Sequence, residues 1–171
     1  MILLKLAEAL AIRADLQQKL HHLEHRLRNA AQVQMGDNPP EDPEDILKEI
    51  SAALGELQKM MINIDITNAS TVIEGFTLQA MLTERELIKR KRGILNNLLQ
   101  QLAITPMRHS KNEIRFINTI KPTRLLKEVD VLSKKYRELD LKIQAANWIV
   151  DLKDATSAEE VDVSTPIPTE S

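Results

Sequence analysis

His21 and His25 are the residues whose type and spacing best suit chemistry. They sit four apart in the run His-His-Leu-Glu-His, on one face of any helix that carries them. An i, i+4 histidine pair is a workable two-point grip on a metal ion. Leu20 and Leu23 fall on the apolar seam of the same helix, so His21 and His25 face away from it. A complete site would need a third ligand from elsewhere, and a solvated face is the favoured reading. The run is not the His-Glu-x-x-His of zinc proteases, where the glutamate directly follows the first histidine. No metal or other cofactor is therefore assigned.

Other charged groups compete for a role. Asp37, Glu41, Asp42, Glu44 and Asp45 cluster around a turn, but the ligand order of a calcium loop is missing. Helix capping accounts for most of them. Lys89-Arg90-Lys91-Arg92 hints at nucleic acid, yet four consecutive helical residues fan around the axis and form no single patch. Glu86 lies four before Arg90, and no stacking aromatic is near. With 23 basic and 25 acidic residues, no charge excess points to a polyanion. A nucleic-acid partner is not expected.

Arg13, Arg85 and Arg92 occupy seam positions where apolar residues would be expected. A buried guanidinium must meet a carboxylate or carbonyls, because an unpaired buried charge is costly. Glu8, Asp15, Asp65 and Asp140 are available partners. The alternative is that the stems pack at the seam edge and the heads reach water. No nucleophile elbow, phosphate loop or other catalytic constellation is present, so no catalytic residue is assigned and an enzyme is not expected.

The elements that must position these groups are long helices. The chain has 171 residues, only 2% aromatics, four glycines and no cysteine. Apolar content is spent on Leu, Ile and Ala, which disfavours a sandwich or barrel. The predicted fold is mainly α: antiparallel long helices packed along heptad-like seams, as a single domain over residues 1–153. Helix one, about 3–33, carries Leu6, Ala9, Arg13, Leu16, Leu20, Leu23, Leu27 and Ala30 at alternating spacings of three and four. Its start, Leu3 to Ile12, is apolar on nearly every face. One neighbouring helix cannot cover such a surface, so a wider bundle or a subunit interface is expected there.

Asp42 and Pro43 mark the start of helix two, about 43–66, whose seam reads Leu47, Ile50, Leu54, Leu57, Met61 and Ile64. Thr67 to Thr71 reads as a polar break, and Val72 to Phe76 as a connector. Thr77 can cap helix three, about 77–103, with Leu78, Met81, Arg85, Ile88, Arg92, Leu95, Leu99 and Leu102 on its seam. Glu113 to Ile120 changes to period two and reads as a short β element. A lone strand cannot satisfy its backbone, so its partner is Met107 to His109, Trp148 to Leu152, or the same strand in another copy. Helix four, about 122–147, has the seam Leu125, Val129, Leu132, Tyr136, Leu139, Ile143 and Ala146. Residues 154–171 are acidic and Pro-containing, and disorder is expected there.

Two further segments set the compartment. The apolar start is interrupted by Lys5 and Glu8 and reads as mature helix rather than a signal peptide. No apolar run is long enough to span a membrane. With no cysteine, a cytoplasmic setting is expected.

Several short runs resemble the septicolysin-like bacterial proteins. They are Lys5-Leu6-Ala7-Glu8-Ala9-Leu10, Arg13-Ala14-Asp15-Leu16-Gln17, Arg26-Leu27 with Asn29-Ala30, and Val33-Gln34-Met35-Gly36-Asp37. Pro40-Glu41-Asp42-Pro43, Thr67-Asn68, Tyr136-Arg137-Glu138-Leu139-Asp140 and Asn147-Trp148 fit the same pattern. The resemblance covers Leu4 to Leu152 and implies a small helical bacterial protein of unestablished function, with a name that suggests a cytolysin. It brings no site residues with it.

The leading expectation is a non-enzymatic, self-associating scaffold or interaction protein. Its partner would be a second copy, met through Leu3 to Ile12 and the strand Glu113 to Ile120. The alternatives are a membrane-active protein, disfavoured by the sequence, and a metal-binding protein using His21 and His25.

Overall fold

The computed structural model describes residues 4–103 and 117–155. They form a mainly α protein with four long helices: α1 (Leu6–Ala31), α2 (Pro43–Ser70), α3 (Leu78–Ala103) and α4 (Pro122–Ile149). Two short strands, β1 (Val72–Ile73) and β2 (Phe76–Thr77), lie between α2 and α3. The chain divides into two compact units. The first holds the described residues up to Thr71 and from Asn147 onward, and the second holds those of Val72–Ala146.

In the first unit α1 and α2 pack antiparallel. Leu23, Ala30, Ile46 and Ala53 form a buried cluster, with Leu20, Leu27 and Ile50 packed against it. The predicted seam of α1 is the buried one: Leu6, Ala9, Leu16, Leu23 and Ala30 are all buried. Arg26 clasps the hairpin. Its guanidinium forks onto both Glu41 and Glu49, with Nε 3.0 Å from Glu41 Oε1 and Nη1 3.1 Å from Glu49 Oε2. The two carboxylates raise the Arg26 pKa further, and the Arg26 hydrogen bonds hold Glu41 below its ordinary value. The loop between the helices turns at Gly36, with φ +99°, and Asp37 N–H donates to Gln34 O across it. Glycine takes that conformation without steric cost. Asp42 caps α2 by accepting from Glu44 N–H at 2.9 Å, and Pro43 fills the first helical position.

The seam of α2 lies one position away from the predicted one at alternate turns. Ile46, Ala53 and Ile64 are buried, whereas Leu47, Leu54 and Met61 are exposed. Ile46, Ile50, Ala53, Leu57, Met60, Ile64 and Thr67 also alternate four and three. Small Ala53 is favoured at the contact because it admits Leu23 and Ala30 side chains in a close-packed layer. Thr67 to Ser70 is not a break either. Thr67 and Ser70 hydroxyls donate back to the carbonyls of Asn63 and Ile66, both at 2.7 Å, so these polar residues stay helical.

In the second unit the expected connector is a tight hairpin. Val72 pairs with Thr77 and Ile73 with Phe76, antiparallel. Glu74 and Gly75 turn it with φ +51° and +86°, the two left-handed residues of a two-residue hairpin loop. Thr77 Oγ1 accepts from Ala80 N–H at 3.1 Å and so caps α3 as predicted. Leu78, Met81, Ile88, Leu125, Ile143 and Ala146 are buried, on the predicted seams of α3 and α4. Ion pairs Glu84–Lys135, Arg85–Asp140 and Lys91–Glu128 run in opposite sequence directions and set the two helices antiparallel.

The β element expected over Glu113 to Ile120 is absent where it can be seen. Ile117 and Asn118 have no regular structure, and Thr119 and Ile120 form a bend; Glu113 to Phe116, like Met107 to His109, lie outside the described residues. One candidate partner is otherwise engaged. Val150 O accepts from Leu6 N–H at 2.9 Å and Leu4 O from Leu152 N–H at 2.7 Å. Among the described residues the β ladder is at 72–77, with an isolated antiparallel bridge between Lys5 and Asp151. No described helix is long and apolar enough to cross a membrane.

Candidate functional site

His21 and His25 meet no third ligand among the described residues. His21 is 82% exposed along its side chain, with Nδ1 4.0 Å from Glu24. His25 Nδ1 is 3.3 Å from the Asn29 amide. Among the described residues no three His, Asp or Glu side chains converge on one point. The acids of the α1–α2 loop are committed elsewhere: Glu41 to Arg26, Asp42 to the α2 cap, and Asp45 to Lys48 at 2.7 Å. The basic run on α3 is dispersed. Lys91 meets Glu128 at 2.6 Å and pulls its pKa down, Lys89 lies 3.7 Å from Glu86, and Arg92 stacks over Tyr136 at 5.1 Å from the ring centre.

The three seam arginines have three fates, and none is fully buried. Arg85 Nη1 donates to Asp140 Oδ1 at 2.6 Å, with 26% and 33% of the two side chains exposed. Arg92 uses an aromatic face instead of a carboxylate. Arg13 is half-buried, and its Nε lies buried without a hydrogen-bond partner among the described residues.

What sequence reasoning missed is a polar receptor for the segment that follows α4. Thr67, fully buried, accepts Lys153 N–H on Oγ1 at 2.9 Å. Asn63, one turn earlier, accepts Ala155 N–H on Oδ1 at 3.0 Å. Two side chains four apart on a helix thus hold two backbone amides two apart on an extended strap. Lys153 Nζ adds a bond to Ser70 Oγ at 2.7 Å. At the other end of the strap Lys5 Nζ donates to Ile149 O at 2.9 Å and to Asp151 at 2.6 Å. The strap lies along the apolar start of α1, where Leu6 and Ala9 are fully buried. Asp154 and Ala155, assigned by sequence to a disordered tail, are held in place here. The signal was present in the polarity of Asn63 and Thr67 on the inner face of α2, but the strap itself carries no pattern.

In the second unit a groove of about 370 Å³ runs beside the hairpin. Ile73, Phe76, Met81 and Leu139 give it an apolar floor, and Glu84 and Lys142 stand at its edge. Lys142 Nζ reaches Glu74 at the hairpin tip, 2.5 Å away, and Lys135 holds Glu84 at 2.6 Å. These charges neutralise one another across the rim.

The outer face of α2, in the first unit, is a regular open surface. Leu47 (42% exposed), Leu54 (51%) and Met61 (43%) recur every seven residues, and Ile62 (42%) adjoins them. Gly55 stands among them, where an added Cβ would meet nothing within 4 Å. Beside it is a hollow of about 270 Å³ bounded by Gln58, Lys59, Ile62, Asp154 and Ala155.

The geometry defines a helical protein whose polar anchors serve the fold and whose apolar residues line outward-facing surfaces. Residues 13–152 match a family of unknown function (DUF6847). The chain is 35% identical to a functionally unknown conserved protein from Corynebacterium diphtheriae, known from its crystal structure. That similarity has a TM-score of 0.81 and covers 89% of this chain and 100% of the other. No curated protein matches. The chain belongs to this family of unknown function. Neither match carries the septicolysin-like name.

Proposed function

We propose that this protein is a non-enzymatic interaction protein that self-associates and acts as a scaffold. The observation that carries the reading is the stripe Leu47, Leu54 and Met61 on α2. The neighbouring stripe of the same helix, about 100° round the axis, already packs on α1, so α2 carries two heptad-spaced apolar stripes and one of them is uncovered among the described residues. Apolar residues recurring at heptad spacing on one exposed face support an interaction surface over leucines scattered singly. The apolar start at Leu3 to Ile12, the first surface expected to self-associate, is the weaker site. Its first described residues are already paired within the chain, Leu6 N–H to Val150 O and Leu152 N–H to Leu4 O.

The test is multi-angle light scattering of the purified chain at micromolar concentration. A mass twice 19.4 kDa or more supports the reading. A monomer across the whole concentration range refutes it.

A further inference from the structure

We propose that the outer face of α2 is a two-fold interface between copies, with the two α2 helices antiparallel and the axis at Gln58. This rests on the self-association reading and assigns it a surface and a register. At 100° per residue, Leu47, Ser51, Leu54, Gln58, Met61 and Asp65 form one line of alternating fours and threes. All six are exposed, and the line is separate from the one that packs on α1.

Gly55 indicates close approach. A glycine inside a helix costs about 1 kcal/mol relative to alanine. The described residues leave room for a side chain there, so their packing does not require glycine. A second helix crossing close by does. With the axis at Gln58, Ile62 of the second copy lies over Gly55, at the mouth of the adjoining hollow, and Leu54 meets Met61 of the second copy. Gln58 faces itself.

Charge selects both the occupant and the register. In this register Asp65 of the second copy comes beside Ser51 and within one turn of Lys48, and the contact occurs twice about the axis. Lys48 now has only an exposed partner on its own helix, Asp45. Moving the axis to Leu54 would set Glu44 against Asp65 of the second copy, a like-charge contact. An anionic bilayer is disfavoured because Asp65 stands on the line itself.

The chain has no cysteine, so a single introduced thiol reports cleanly. Gln58→Cys is expected to cross-link to itself under mild oxidation or with a short bismaleimide. Glu56→Cys, on the opposite side of α2, is expected to stay monomeric on the same gel. Leu54→Asp should weaken association at least tenfold in sedimentation. Gly55→Leu should also weaken it at least tenfold while raising the melting temperature of the dilute monomer, a combination that general misfolding cannot produce. A dimer in which Gln58→Cys fails to cross-link overturns the register while self-association stands. Association untouched by Gly55→Leu overturns the close approach. Vesicle flotation without dimer formation overturns the second copy as occupant, and a monomer under all conditions overturns both readings.

Discussion

Replacing Thr67 by valine isolates the bond that holds the strap. Valine keeps the shape of threonine, so packing at this fully buried position is nearly unchanged. The substitution removes two hydrogen bonds of unequal weight. The bond from Thr67 Oγ1 to Asn63 O, 2.7 Å, matters little, because a helical carbonyl keeps its backbone donor. The bond from Lys153 N–H, 2.9 Å, is the one whose loss leaves a part-buried amide unpaired. An unsatisfied buried donor costs ~1–3 kcal/mol, and the partial exposure of Lys153 sets the expectation in the lower half of that range. For a chain of this size 1 kcal/mol moves the midpoint by roughly 2–4 °C, so a fall of ~2–8 °C is expected. Thr67→Ser is the control: it keeps the oxygen and loses a methyl. Both variants lower the midpoint, so hydrogen exchange separates them. The Lys153 and Ala155 amides should exchange faster in the valine variant and stay protected in the serine variant. A valine variant whose Lys153 amide is as protected as in the wild type would refute the account of the strap.

The remaining predictions concern the seams and the charges. Ile46→Ala should destabilise by ~2–5 kcal/mol in chemical denaturation and Leu47→Ala by less than about 0.5 kcal/mol, since only the first sits in the α1–α2 contact; equal effects would restore the alternative register. Asp140→Ala leaves Arg85 half-buried without its carboxylate and should cost ~1–2 kcal/mol, discounted for exposure, while Arg85→Met with Asp140→Leu should recover most of it. A double replacement as unstable as the single one would count against that pair. Acid stability follows Glu41 and Glu128, both held below the ordinary carboxylate value of 4.5 by Arg26 and Lys91 respectively. Each contributes stability above 4.5 that is lost as the pH falls through its depressed folded value. Urea midpoints should therefore drop below pH 4.5, and Glu41→Gln should flatten that slope. Lys48, raised above 10.5 chiefly by its bond to Asp45, contributes in the opposite direction and loses its share as the pH rises past 10.5.

Helix location was legible because it depends on signals a few residues long. Asp42-Pro43 and Thr77 carry their capping chemistry on the surface of the sequence, and the alternating threes and fours of α1, α3 and α4 coincide with the residues that are buried. α2 admits two readings. Its apolar residues fill both stripes, and large Leu47 and Leu54 outweigh small Ala53 in any reading that ranks by hydrophobicity. Packing ranks by fit, and the partner supplied by Leu23 and Ala30 cannot be seen from α2 alone. The same blindness hid the strap. Residues 150–155 have no period, and the acceptors that hold Lys153 and Ala155 lie 86 and 92 residues earlier in the chain. Polar residues at Thr67 and Asn68 look like a helix end when read locally. Both are buried, and Thr67 is an anchor for another segment.

This ambiguity of α2 is what the proposed self-association rests on. A helix that served only the α1–α2 hairpin would keep one stripe apolar and make the other polar, as the solvated face of α1 around His21 and His25 does. Selection for the fold alone gives no reason to hold Leu47, Leu54 and Met61 at heptad spacing in water, nor to keep Gly55 where alanine would strengthen the helix. Two departures from what the fold needs, one in apolar surface and one in backbone, fall side by side on the same helix. They are consistent with a single cause, a second helix lying across α2. If Gly55→Ala raises monomer stability by the expected ~0.5–1 kcal/mol without weakening association, the glycine has no such role and that common cause fails.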